Sequence, residues 1–129
     1  MRRSEACRSD RGFATVEAAM VLPVLALFTV TLLWSLFTAA AQIRCVDAAR
    51  AGARAAARSE PVASAEAAAR TAAPEGARVT VTRSGELWRV TVEAAAPGPR
   101  GLGLTLRAEA AALAEDTGLL GDLGPGGPP

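Results

Sequence analysis

The sequence contains no histidine, lysine, tyrosine or asparagine. Each absence removes a class of chemistry. Without histidine or lysine, the usual general bases and Schiff-base amines are missing. Two cysteines and no histidine cannot build the usual structural zinc site. No cofactor, metal or small-molecule substrate is therefore expected, and no enzyme. The formal net charge is only +1, which gives no electrostatic argument for nucleic acid as a partner. What remains is heavily skewed. All 14 basic residues are arginine, and alanine fills 31 of 129 positions. The length allows one small domain with extensions.

The sequence also has one long stretch without charge. Ala18 to Ile43 is 26 residues, "AAMVLPVLALFTVTLLWSLFTAAAQI". As a helix it would be about 39 Å long, more than the ~30 Å of a bilayer core. A chain this short has no second layer to surround a buried core helix of that length. Thr29, Thr31, Ser35 and Thr38 suit a membrane helix, because their hydroxyls can bond carbonyls one turn back. Pro23 removes one backbone donor and predicts a kink, not a break. Cys7 and Cys45 would lie on opposite sides of the membrane, which rules out a disulfide between them. The basic residues do not orient the span. Arg2, Arg3, Arg8 and Arg11 precede it, and Arg44, Arg50, Arg54 and Arg58 follow it, so the positive-inside count is a tie. The competing reading is a secretory signal cut after Ala39–Ala41, before Gln42. A cleaved apolar region usually has about 7–15 residues, and this one is longer and begins beside Glu17.

Residues 12 to 17 read Gly-Phe-Ala-Thr-Val-Glu, directly ahead of the apolar run. This resembles the processing site of a type IV prepilin: a short charged leader, a glycine, a phenylalanine, and a glutamate fifth after the cut. "VEAAMVLPVLALF" and the Ala/Arg-rich "DAARAGARAAAR" of residues 47–58 resemble the TadE-like family more closely. That family contains minor pilins or pseudopilins of Flp-type tight-adherence pili. The resemblance covers residues 11–58 well and the remainder loosely. It implies cleavage between Gly12 and Phe13 by a prepilin peptidase, and assembly through Glu17 and Pro23. It also implies partners: other pilins or pseudopilins, and an inner-membrane pilus assembly platform with its cytoplasmic ATPase. The implied location is the cytoplasmic membrane, single-pass, with the C-terminal region outside and a possible place in the extracellular pilus. Flp-type major pilins tend to carry an aromatic residue after the glutamate. Here it is Ala18, which with the long C-terminal region implies a minor component.

The expected fold is α+β. Residues 1–12 form a leader and 13–43 the transmembrane helix. Residues 44–116 form an extracytoplasmic region, and the Gly/Pro-rich residues 117–129 a disordered tail. The membrane helix should continue into an Ala/Arg-rich helix on which Arg50, Arg54 and Arg58 form one charged stripe at i, i+4, i+8. That stripe is either a solvated face or a contact for lipid head groups or a partner's acids. Gly52 would permit close approach of a partner. A short helix should follow Pro61, then a small antiparallel sheet of about three strands. "ARVTVTRSGELWRVTVEA" alternates with period two. A Ser84–Gly85 loop would pair Arg83 with Glu86, Val81 with Trp88, Val79 with Val90 and Ala77 with Val92. Leu102, Leu104, Leu106 and Ala108 would share one face of a third strand, with helix a competitor over residues 107–115.

Overall fold

The computed structural model describes residues 3–99 and 102–115, with side chains from residue 11. The expected tail, residues 117–129, lies outside the described residues. The order is α1 (Arg3–Ala57), α2 (Val62–Ala72), β1 (Arg78–Ser84), β2 (Leu87–Ala95) and β3 (Thr105–Leu113). This is the expected α+β arrangement. The chain divides into two compact units, Met1–Phe37 and Thr38–Pro129, with the division inside α1.

In the first unit α1 continues through Pro23 without a break. Thr15, Thr29, Thr31 and Ser35 each donate a hydroxyl hydrogen bond to the carbonyl four residues back, at 2.8–2.9 Å. A polar side chain satisfied this way exposes little unmet polarity to an apolar medium. Every residue from Arg11 to Phe37 is exposed except the half-buried Trp34. Among the described residues, one helix is long and apolar enough to cross a membrane.

The second unit, the head, packs its stretch of α1 and all of α2 on one face of a sheet ordered β1-β2-β3, antiparallel throughout. Cys45, Ala48, Ala49, Gly52, Ala53 and Ala56 recur at helical spacing and form the buried side of α1. Ala65 and Ala69 do the same for α2. The sheet supplies Val79, Val90, Val92, Ala94 and Ala108. Small side chains let the layers approach closely. A Cβ on Gly52 would lie 3.0 Å from Ala69 Cβ, 3.1 Å from Val90 Cγ1 and 3.3 Å from the Ala65 carbonyl oxygen. The close approach expected at Gly52 is therefore made within this chain. Pro61 caps α2 with its carbonyl, which accepts from the amides of Ser64 (2.8 Å) and Ala65 (3.2 Å).

The sheet corrects two expectations and decides a choice that the sequence left open. The hairpin turns at Gly85–Glu86, not Ser84–Gly85. The observed pairs are Ser84–Leu87, Arg83–Trp88, Val81–Val90 and Val79–Val92. The cause is backbone handedness: Gly85 has φ +63°, and a two-residue loop that begins on glycine needs positive φ at its first position. Moving the turn by one residue shifts every pair by two, so the apolar side chains keep their common face. Arg83 loses Glu86 as its partner and stacks on Trp88 instead, 5.2 Å from the ring centroid. Second, Leu102 and Leu104 are exposed and lie outside the third strand. A turn with Gly103 at φ +55° and a hydrogen bond from the Leu102 amide to the Pro99 carbonyl break the alternation there. Leu106 and Ala108 do face the core. The choice left open over residues 107–115 falls to strand through Leu113, in keeping with the expected third strand. Their helix-forming composition is overridden by the pairing with β2, which extends from Ala95–Thr105 to Leu87–Leu113.

Candidate processing and assembly site

Gly12, Phe13, Glu17 and Pro23 all lie on the first unit's part of α1. Phe13 and Glu17 are four residues apart, so both project from one side of the helix. Phe13 is 74% exposed. Glu17 is exposed and makes no ion pair among the described residues. Nothing lies within 4 Å of a Cβ built on Gly12. Its small size is therefore not demanded by packing in this chain. Helical backbone runs through the Gly12–Phe13 bond. Beyond Glu17, Met20, Leu22, Val24, Leu25 and Leu27 continue the apolar surface, each at least half exposed. An exposed apolar helix of this length needs lipid or other helices to cover it.

Arg50, Arg54 and Arg58 belong to the head. They line the exposed side of α1, opposite its buried alanines. Arg58 pairs with Glu60 at 2.9 Å. Arg54 donates from Nε to the Arg50 carbonyl at 3.4 Å. These are solvated contacts, and an exposed pair of this kind contributes roughly 0–1 kcal/mol. The sequence places the stripe correctly. Nothing among the described residues of the head gathers the three arginines around a common site.

Cys45 is fully buried in the core, and burial raises its thiol above the ordinary cysteine range. It packs as a small apolar residue. Among the described residues, no cluster of three or more cysteine and acidic side chains could hold a metal.

Sequence reasoning missed the polar side of the sheet. Arg89 pairs with Glu109 at 2.8 Å and Arg107 with Glu93 at 3.2 Å, both across β2 and β3. Gln42 donates to the Arg107 carbonyl at 3.1 Å, and the Glu115 amide donates to the Ala57 carbonyl at 3.0 Å. These two bonds tie α1 to both ends of β3. The signal was the alternation of arginine and glutamate on outward strand positions, visible only once the register is known.

Comparison with known proteins finds a family match to part of this chain. The model of the TadE-like protein family matches residues 12–54. A Mycobacterium tuberculosis (strain ATCC 25618 / H37Rv) protein described as apoptosis inhibitor Rv3655c is 44% identical over 79 residues, 61% of this chain and 62% of that protein. No solved structure matches. Residues 12–54, from the candidate cleavage site to the second turn of arginines, are thus a TadE-like segment, and the sheet lies beyond the matched region.

Proposed function

We propose that the protein is a minor pilin or pseudopilin of a Flp/Tad-type pilus. It is cut after Gly12 by a prepilin peptidase and assembles through its N-terminal apolar helix. The observation that carries this reading is Gly12–Phe13–Glu17 set directly before an uncovered apolar helix. The helix first anchors the chain in the cytoplasmic membrane, with the head on the extracytoplasmic side. It then exchanges lipid for the helices of neighbouring pilins. The partners are the peptidase, the inner-membrane platform and the other pilins. Arg50, Arg54 and Arg58 offer a contact for lipid phosphates or a neighbour's acids.

Intact-mass and N-terminal peptide analysis of native protein tests the proposal. Phe13 is expected as the first residue. A chain that begins at Gln42 would establish the secretory reading, and one that retains Met1 would leave a plain membrane anchor. A second reading, a secreted or anchored binding module with no filament role, is favoured by the likeness to the mycobacterial protein described as an apoptosis inhibitor. Recovery of the protein without any pilin, in soluble form, would support that reading instead.

A further inference from the structure

We infer that the two edge strands of the head are complementary, so that β3 of one copy takes β1 of the next, in parallel and in one register, and heads join side by side into an open row. This rests on the filament reading only for the choice of a second copy as the occupant.

Among the described residues, β1 and β3 each have a strand neighbour on one side only. A strand edge offers a row of backbone donors and acceptors to another chain. Both edges are antiparallel to β2, hence parallel to each other. A sideways repeat of the head therefore sets β1 beside β3 with every copy pointing the same way, as chains anchored in one membrane must. Pairing of β3 with itself would be antiparallel about an axis normal to the sheet. It would reverse α1 in the second head. That helix runs alongside β3, since Gln42 meets Arg107 and Ala57 meets Glu115.

Charge selects the register. Arg78, Glu93 and Arg107 form one row across the sheet, and Thr80, Thr91 and Glu109 form the next outward-facing row. On this face Glu93 is held by Arg107 and Glu109 by Arg89. Arg78 has no ion pair among the described residues. In the unshifted register Arg78 of the next copy would sit beside Arg107. Raised by two residues, it sits beside Glu109. The ends agree with the same register. On the outer edge the Arg107 carbonyl is already used by Gln42, and the Glu115 amide by the Ala57 carbonyl. Among the described residues, Glu109–Leu113 then remains for Arg78–Thr82 of the next copy. The shift is about 6.6 Å along the strands.

Cysteine crosslinking of the full chain in membranes tests this, with Cys7→Ser and Cys45→Ala as background. Thr80→Cys combined with Ala111→Cys places the two thiols side by side in the proposed register. A short bis-maleimide should give a ladder of dimers, trimers and higher species, and neither single variant should crosslink. Thr82→Cys with Ala111→Cys reports the unshifted register and should crosslink at least fivefold less. Absence of a ladder, equal yields from the two pairs, or dimers from Ala111→Cys alone would overturn the inference. The outcome is separable from processing. A ladder formed by chains that retain Met1 would leave the edge pairing and sink the pilin reading. Chains that begin at Phe13 without a ladder would do the reverse.

Discussion

At the scale of single residues, the head depends on what is small. Gly52 sits where α1, α2 and β2 meet, and two of the three atoms a Cβ would press on are held by backbone: Ala69 Cβ and the Ala65 carbonyl oxygen. Alanine there would gain about 1 kcal/mol of helix propensity. It would also impose an overpacking cost of roughly 1–3 kcal/mol, and fixed neighbours put that cost toward the upper end. Gly52→Ala should therefore lower stability by about 1 kcal/mol, and Gly52→Val by more, as read from denaturant midpoints of the full chain in detergent. A midpoint at or above the parent's would show that α2 can shift aside. Cys45 is governed by burial in another way. It follows the candidate span, yet a membrane-impermeant thiol reagent should fail to label it in the folded protein from either side and succeed after denaturation. Rapid labelling of the native chain would contradict its burial. Because the folded thiol titrates above its ordinary range, its contribution to stability is intact below the unfolded value of about 8.5. As pH rises past that value the unfolded chain loses its proton first, and stability declines.

At the scale of elements, backbone handedness decides the hairpin. Gly85 has φ +63°, and a Cβ on it would meet nothing within 4 Å. Gly85→Ala should destabilise the head by about 1–2 kcal/mol through the left-handed conformation alone. Gly12→Ala, in helical backbone with equally open surroundings, should leave its stability unchanged. A neutral Gly85→Ala would mean that the turn can re-form one residue earlier, at Ser84–Gly85. The same turn marks how far the sequence could be read. Alternation in residues 77–94 revealed two strands and their shared apolar face, because period-two patterning survives a shift of two. It could not distinguish the two loops, since Ser-Gly and Gly-Glu are both workable turn pairs and only φ separates them. The apolar run, the second helix after Pro61 and the arginine stripe were legible because each rests on local periodicity. The strand over residues 107–113 was legible only in part: alternation up to Ala108 pointed to it, but "RAEAAAL" prefers helix locally and its partners in β2 decide for strand. The candidate processing residues were legible as a motif. What the fold adds is that they lie on an uncovered helix.

At the scale of the whole molecule, the central matter is a carboxylate at the start of an apolar helix. A charge carried into the centre of a membrane helix costs about 2.5–3.5 kcal/mol on insertion scales, and Glu17 lies nearer the interface, where the cost is lower. Insertion is therefore not the step it controls. Within a bundle of apolar helices its surroundings change. The attraction between opposite charges at a given distance grows about fourfold as the effective dielectric falls from ~80 to ~20. Cleavage after Gly12 would create one such opposite charge, the ammonium of Phe13, one turn away on the same side of α1. Within one chain the two are held at a helical spacing that also suits a neighbour raised by about 6 Å. Pairing between copies would then satisfy both charges and fix the register of one helix against the next. Glu17→Gln removes the charge and keeps the shape and one acceptor. The variant should insert and be cleaved as the parent is, and should co-purify with other pilins at least tenfold less from solubilised membranes. Glu17→Asp, one methylene shorter, should retain part of the association. Full association of the Gln variant would show that the apolar surface alone sets the register, and that Glu17 serves only to hold the helix start at the membrane interface.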